Sequence, residues 1–269
     1  MVLLDAIVEL SDDWLQDHRS LYTPKLCGAL SSAFTNVFMY SDTPRSVCGT
    51  MTRAACGNVH HGMSIWEAQF KRECILSDYV QHVPQLGAPA WVLSLDQDVS
   101  VRLPLLHHVT RSFPIPHQPL FMGFNNPPFG RVIVIGAFFM ATRSCLWDLY
   151  GVERVIDRCK RSFYTCKAQR GKECSFPGAY DHKTYNNDHL LSFCLASNYT
   201  RCERHRGWGQ KFGFLYNHHR RTDIFSDGSH ENMVTFATHH TPPNVSWMMS
   251  TEATPLKRGA QLLFYPSTR

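Results

Sequence analysis

The chain has 269 residues, of which 43% are hydrophobic and 18% are charged, and this composition excludes an intrinsically disordered protein. Its formal net charge is +5, from 27 basic and 22 acidic residues. Because the basic residues form no Lys/Arg tract, a dedicated nucleic-acid-binding protein is disfavoured, and the length predicts a single domain over residues 1–269.

Extended apolar segments alternate with longer mixed segments, which is the pattern of βαβ units. We therefore predict an α/β fold with a largely parallel central sheet flanked by helices. In chain order, the predicted elements are a strand at Val37–Tyr40, a helix at Gly62–His82, a strand at Ala90–Leu95, a strand within Val132–Ala141, a helix at Ser144–Val155, a helical run that ends at Leu195 and a strand at Val234–Phe236.

Ten cysteines occur without any CxxC pair, which argues against a structural zinc module and favours an oxidising compartment. Three pairs have seven residues between the partners: Cys48/Cys56, Cys166/Cys174 and Cys194/Cys202. We favour the Cys166–Cys174 disulfide most, because the polar stretch between these residues is typical of an exposed loop. Cys194 lies in an apolar run, so a reduced core cysteine is an equally weighted alternative there.

Two sequons, at Asn198 and Asn244, are compatible with a lumenal or secreted protein. The longest apolar stretch has about ten residues, which suits a buried strand and not a membrane helix. The first ten residues include Asp5 and Glu9 and lack the basic start of a signal peptide. For a lumenal protein, we therefore expect the targeting or membrane segment to lie outside this sequence; a cytosolic protein is the alternative.

Two carboxylates, Asp96 and Asp98, follow the predicted strand at Ala90–Leu95 directly. This strand is nearly continuous in apolar residues, as in the centre of a parallel sheet, and open α/β sheets bind ligands beyond the carboxyl ends of their strands. Two adjacent carboxylates repel unless a cation or a proton relieves them, and oxygen ligands suit Mg²⁺ or Mn²⁺, above all beside a diphosphate. A capping Asp96 with a solvated Asp98 is an alternative of equal weight.

The acidic triplet Asp96-Gln97-Asp98 is followed along the chain by four further blocks: Phe121–Phe124, Val132–Ala141, Tyr185–Leu195 and Val234–Pro243. With this order of blocks, residues 37–249 resemble the fringe-like and β-1,3-galactosyltransferase group, family 31 of the glycosyltransferases. The resemblance implies a GT-A-type domain with a Rossmann-like sheet. It also implies transfer of a sugar from a UDP-sugar donor to a glycan or glycoprotein acceptor, with inversion and a β-1,3 linkage. The implied location is the Golgi or secretory-pathway lumen, as a type II membrane protein whose anchor is not in this sequence.

The resemblance also assigns donor and metal roles. Asp96 and above all Asp98 match the acidic block that holds the divalent cation, Mn²⁺ or another, and the nucleotide-sugar donor. Gly136 and Ala137 match the glycine-rich strand that contributes to the donor pocket, although this chain has fewer glycines there.

The remaining assigned roles belong to later residues. Asp188 matches the catalytic base, while Asn187 stands where relatives have another acid. His239 or His240 matches the histidine that completes the metal shell, and only one of the two can face the metal because neighbouring residues of a strand point to opposite faces. Asp188 has a simpler alternative as a first-turn acid that stabilises a helix.

Two further functions stay open at this point. The absence of an acid at position 187 and the small number of glycines in the strand around Gly136 favour an inactive GT-A-like protein that binds carbohydrate or acts like a chaperone. A metal-dependent phosphohydrolase would use the same acids to activate water.

Overall fold

The computed structural model describes residues 3–18, 22–54, 65–82, 90–112, 118–122, 138–170, 187–205, 212–218, 221–225 and 234–239. The strands are β1 (Leu3–Glu9), β2 (Asn36–Ser41), β3 (Ser46–Val47), β4 (Thr50–Met51), β5 (Arg53–Ala54), β6 (Ala90–Asp96), β7 (Ser100–Val101), β8 (Leu120–Met122), β9 (Phe138–Thr142), β10 (Glu203–Arg204), β11 (Phe212–His218), β12 (Arg221–Phe225) and β13 (Val234–His239). The helices are α1 (Asp12–His18), α2 (Pro24–Ala33), α3 (Ile65–His82), α4 (Leu103–Ser112), α5 (Arg143–Tyr150), α6 (Val155–Arg170) and α7 (Asn187–Ala196).

The larger sheet has seven strands in the order β10-β8-β9-β6-β1-β2-β5. Strands β6, β1, β2 and β5 pair in parallel, and β8 pairs in parallel with β10. Strand β9 runs antiparallel to both of its neighbours. This mixed but largely parallel sheet, with helices on its faces, confirms the predicted α/β fold. A second sheet has the order β12-β11-β13-β7, and β3 and β4 form a separate hairpin.

Side chains of β1 and β6 alternate between two hydrophobic clusters, one on each face of the sheet. Leu4, Ala6 and Val8 belong to the cluster that includes residues of α2, α4 and β13. Ile7 and Val92 belong to the cluster that includes residues of α3, α5, α6 and α7. Both strands are therefore buried on both faces, which explains the nearly continuous apolar sequence of β6.

Seven predicted elements are confirmed as β2, α3, β6, β9, α5, α7 and β13, with shifted ends. The predicted helix at Ser144–Val155 ends early, at Tyr150, and a turn separates it from α6. Gly151 caps α5 by donating its N–H to the Trp147 carbonyl at 2.9 Å, and a Cβ at this position would collide with that carbonyl. In the described part of the chain, no helix is both long and apolar enough to cross a bilayer.

The described disulfides differ from the pairs that equal spacing suggested. They join Cys27 to Cys48, Cys145 to Cys202 and Cys159 to Cys194, with Cα atoms 5.1 to 5.5 Å apart. The predicted pairs Cys48/Cys56 and Cys194/Cys202 are therefore wrong, and so is a reduced Cys194. Equal spacing along the chain does not bring residues together when helix packing decides: Cys159, near the start of α6, faces Cys194, near the end of α7.

The predicted pair Cys166–Cys174 is only partly within the described residues. Cys166 lies in α6, which continues to Arg170, so the first half of the stretch predicted as a loop is helical. Cys174 lies outside the described residues, and this disulfide stays a prediction.

A buried polar cluster surrounds Asp5 in the middle of β1. The carboxylate of Asp5 is fully buried and accepts hydrogen bonds from the Tyr79 hydroxyl at 2.6 Å, from Arg143 Nη2 at 2.7 Å and from Asn36 Nδ2 at 2.8 Å. Burial, reinforced by the charge of Asp5, raises the pKa of the Tyr79 phenol, which therefore remains a donor. The cluster ties β1 to β2, α3 and α5.

Replacing Asp5 with Ala is expected to lower the free energy of unfolding by about 3–5 kcal/mol, because it leaves the buried Arg143 without its counterion. Asp157→Ala is the matched control. It breaks the Arg154–Asp157 pair, whose side chains are 47% and 34% exposed, and such pairs contribute about 1 kcal/mol or less. Urea unfolding measures both variants, and equal losses of stability would contradict the role given to Asp5.

Candidate functional site

Carboxylates collect where the parallel strands β1, β2 and β6 end. Strand β1 ends at Glu9, Asp42 follows the end of β2, and β6 ends at Asp96. Glu9 pairs with Asp96 in the strand register, so the two side chains project from the same face of the sheet. This carboxyl edge is the place where open α/β sheets bind ligands.

A buried arginine of α3 bridges the two strand-end carboxylates. Arg72 donates to Glu9 Oε2 from Nε at 3.2 Å and from Nη2 at 3.0 Å. The same Nη2 also forms an ion pair with Asp96 Oδ1. Because the Arg72 side chain is only 8% exposed, these charge-assisted contacts are shielded from solvent. The guanidinium therefore relieves the repulsion between Glu9 and Asp96.

The preceding residue of α3 makes a second bridge, to the end of β2. The Lys71 ammonium lies 2.9 Å from Asp42 Oδ1 and 3.7 Å from Glu9 Oε1, and it donates to the Leu10 carbonyl at 3.1 Å. Its side chain is 6% exposed. Lys71 and Arg72 together fix the ends of three parallel strands relative to α3.

Asp12 extends this charged edge toward the hairpin of β3 and β4. Its carboxylate accepts from Arg45 Nη2 at 2.8 Å and from the Thr43 hydroxyl at 2.6 Å, and its N–H donates to Asp42 Oδ2 at 2.9 Å. The hydrogen bond from Arg45, the largest influence, lowers the pKa of Asp12 to about 2, although burial opposes the shift. Asp12 is therefore ionised at neutral pH.

Gln97 and Asp98 form the turn between β6 and β7. The turn closes with a hydrogen bond from the Val99 N–H to the Asp96 carbonyl at 3.1 Å. Gln97 Oε1 accepts from the Ser11 N–H at 2.6 Å, which ties the turn to the segment that follows β1. Asp98 is partly buried within this anchored turn.

The end of β13 reaches the same turn. Strand β13 pairs antiparallel with β7, with Ala237 opposite Val101 and Thr238 opposite Ser100. His239, the last residue of β13, is therefore level with the residue that follows Asp98. The side chain of His239 and all of His240 lie outside the described part of the structure. The backbone thus brings one predicted metal ligand beside the acidic turn.

Asp188 is the second residue of α7, so it occupies the first helical turn as predicted. Its side chain is not described, and Gly136 and Ala137, which precede β9, lie outside the described residues. Among the described side chains, no group of three His, Cys, Asp or Glu residues converges as a metal site. The roles of Asp188, Gly136 and Ala137 therefore stay predictions.

The comparisons with known proteins give likenesses in structure only. No protein-family profile matches the chain, and no curated protein is significantly similar to it in sequence. One similar structure is a glycosyltransferase involved in the glycosylation of the major capsid of PBCV-1, with 11% identity, a TM-score of 0.44, and coverage of 91% of this chain and 95% of that one. Another is the glycosyltransferase GlyE of Streptococcus pneumoniae TIGR4, with 9% identity and a TM-score of 0.38. That match covers 76% of this chain and 45% of GlyE. These likenesses do not assign an activity to this chain.

Sequence reasoning missed Lys71 and Arg72, although a signal for them was present. Lys71 precedes the buried residues Ile75 and Tyr79 by four and eight positions, so all three lie on one face of α3. Arg72 likewise precedes two further buried residues of α3 by four and eight positions. A basic side chain on the buried face of a helix needs a carboxylate partner, and the acids at the strand ends are such partners.

Replacing Arg72 with Gln is expected to lower the free energy of unfolding by about 3 kcal/mol, because two neighbouring carboxylates lose their shared counterion. Arg158→Gln is the control, since its ion pair with Glu153 lies on the surface. Denaturant unfolding compares the two variants. If both lose equally little stability, Arg72 does not organise this edge.

Proposed function

We propose that this chain is a divalent-cation-dependent glycosyltransferase that moves a sugar from a UDP-sugar donor to a hydroxyl of a glycan or glycoprotein acceptor. The observation that carries the proposal is the anchored turn at the carboxyl edge of the sheet, which contains Asp98 and has the end of β13 beside it. A charged donor with a diphosphate is the kind of ligand that such an edge binds through a cation.

The donor set at this edge fits Mn²⁺ or another divalent cation. Asp98 and one of His239 and His240 would hold it, because carboxylate and imidazole ligands suit Mn²⁺. Arg72 pairs with Oδ1 of Asp96, so in this proposal Asp96 orients the turn and contacts the donor or the cation through Oδ2. When bound, the cation neutralises the charge that develops on the departing diphosphate.

Asp188 acts as the general base in the proposed reaction. The acceptor oxygen forms a bond with the anomeric carbon of the donor sugar, and its proton passes to the Asp188 carboxylate. The anomeric C–O bond to UDP breaks at the same time, and UDP leaves with the electron pair of that bond. A single displacement of this kind inverts the anomeric configuration. Gly136 and Ala137 would line the donor side of the pocket.

The finer assignments follow the resemblance to the fringe-like and β-1,3-galactosyltransferase group, and they are part of the proposal. They are a β-1,3 linkage, membership of glycosyltransferase family 31 and a place in the Golgi or secretory-pathway lumen. The three described disulfides support an oxidising compartment, because disulfides persist in secreted and lumenal proteins.

A second candidate function is an inactive GT-A-like protein that binds carbohydrate. The ion pair between Arg72 and Asp96 favours it, because a guanidinium at this carboxylate can replace the charge that a cation supplies in an active enzyme. Asn187, which stands in α7 where relatives have an acid, agrees with this alternative.

One assay separates the candidates. The protein is incubated with a panel of UDP-sugars, with Mn²⁺ or with EDTA, and release of UDP is measured with and without simple glycoside acceptors. A transferase releases UDP faster when its acceptor is present and requires the cation. Equal release without any acceptor indicates a hydrolase. Binding of a donor or glycan without UDP release indicates the inactive binding protein.

A further inference from the structure

The chain turns at the surface directly after α7, and this turn contains the sequon Asn198-Tyr199-Thr200. Asn198 is exposed, and Tyr199 beside it is 43% exposed. We propose that Asn198 carries an N-linked glycan. The proposal does not depend on the proposed enzymatic function.

Hydrogen bonds of the flanking residues fix this turn. The Ser197 hydroxyl donates to the Cys194 carbonyl at 2.7 Å, and the Tyr199 hydroxyl accepts from Ser162 Oγ at 2.8 Å. The Thr200 hydroxyl donates to Asp148 Oδ2 at 2.6 Å. These contacts hold the turn in place, and Asn198 itself is exposed, so a bulky, hydrated glycan can extend into solvent there.

Two disulfides bracket the sequon and provide an independent observation. Cys194, four residues before Asn198, pairs with Cys159, and Cys202, four residues after it, pairs with Cys145. Disulfides of this kind form in the oxidising compartment in which sequons are modified. The segment that carries the sequon therefore folds under the conditions that glycosylation requires.

The modification is a transfer of an oligosaccharide from a diphosphate-activated lipid carrier by the transferase of that compartment. The side-chain nitrogen of Asn198 forms a C–N bond with the anomeric carbon of the oligosaccharide. The anomeric C–O bond to the diphosphate breaks, the amide loses one proton, and the carrier diphosphate leaves.

The glycan would lie at the far end of α7 from the proposed catalytic base. Asp188 is in the first turn of α7, whereas Asn198 follows its last residue. The ten residues of this helix span about 15 Å. The glycan is therefore expected to leave donor binding and turnover unchanged.

The test expresses the full chain behind an added secretion leader in eukaryotic cells. Protein from both the cells and the medium is treated with N-glycosidase F in heavy-oxygen water, which converts each glycosylated Asn to a labelled Asp that peptide mass spectrometry locates. Label at residue 198 is the expected result. Asn198→Gln should lose one glycan from the intact mass, whereas Thr200→Ser, which keeps both the sequon and a hydroxyl facing Asp148, should retain it.

Asn244→Gln removes the other sequon, which lies outside the described residues, and separates its glycan from that of Asn198. Non-reducing peptide mapping of the Cys159–Cys194 link shows that the analysed molecules folded in an oxidising compartment. Molecules that have this link but carry unmodified Asn198 would overturn the proposal.

Discussion

Replacing Asp188 with Asn is expected to lower turnover by about 10² to 10⁴, with little change in donor affinity. A sugar hydroxyl is a weak acid, so its attack at neutral pH requires a positioned group that takes the proton as the new bond forms. Asn has the size of Asp and the same ability to stabilise a helix N-terminus, so α7 should persist in the variant.

Asp157→Asn provides the matched control for this prediction. Asp157 is likewise an acid in the first turn of a helix, α6, so the substitution makes the same chemical change at a comparable helix position. Turnover and the apparent KM are measured for both variants, together with thermal unfolding. Near-normal turnover of Asp188→Asn would falsify the assignment of the base and leave helix stabilisation as its role. Loss of folding in Asp188→Asn alone would favour the same structural role.

The parts of the fold that sequence predicted are those in which local pattern and tertiary packing agree. Strand β6 is covered on both faces, so its apolar run identifies it without further information. Helix α3 shows buried residues in steps of four, the period of one helix face. Asp96 and Asp98 could be placed at the carboxyl edge of the sheet because the end of an apolar strand is visible in the sequence.

Strand β1 was missed because its polar residues have partners far along the chain. Asp5 is fully buried between Asn36, Tyr79 and Arg143, and Glu9 is held by Arg72. An acid inside an apolar segment suggests exposure until such partners are known. The disulfide pairing could likewise not be predicted from the sequence, since Cys159 and Cys194 meet only through the packing of α6 against α7.

The structure shows charged residues at the carboxyl edge that the sequence pattern did not indicate. The sequence predicts two acids there, and the structure places two further acids, Glu9 and Asp42, beside them. The basic residues Lys71 and Arg72 form ion pairs with these acids. These ion pairs give the acids different structural roles. Asp96 is tied to α3, whereas Asp98 belongs to the turn that Gln97 and Ser11 hold in place. The two carboxylates of the triplet should therefore differ when they are replaced.

Replacing Asp98 with Ala is accordingly expected to weaken Mn²⁺-dependent binding of UDP by more than about 100-fold, beyond the loss typical of residues that only orient a metal ligand. The fold should remain intact, because Asp98 lies in a turn and not within a strand of the core. Isothermal titration of UDP with Mn²⁺ and with EDTA measures the effect, and thermal unfolding checks the fold. Asp157→Ala, on the surface of α6, is the control and should bind as the unmodified protein does.

His239 and His240 provide a second test in the same UDP-binding experiment. His239 is the last residue of β13, and neighbouring side chains of an extended backbone point to opposite faces, so we expect only one of His239 and His240 to reach the proposed cation at Asp98. His239→Ala and His240→Ala should therefore differ, with one variant close to Asp98→Ala and the other close to the unmodified protein. Equal UDP affinity of the unmodified protein with Mn²⁺ and with EDTA would remove the cation from the proposal. In that case the ion pair of Arg72 with Asp96 would be the charge balance of a site that works without metal.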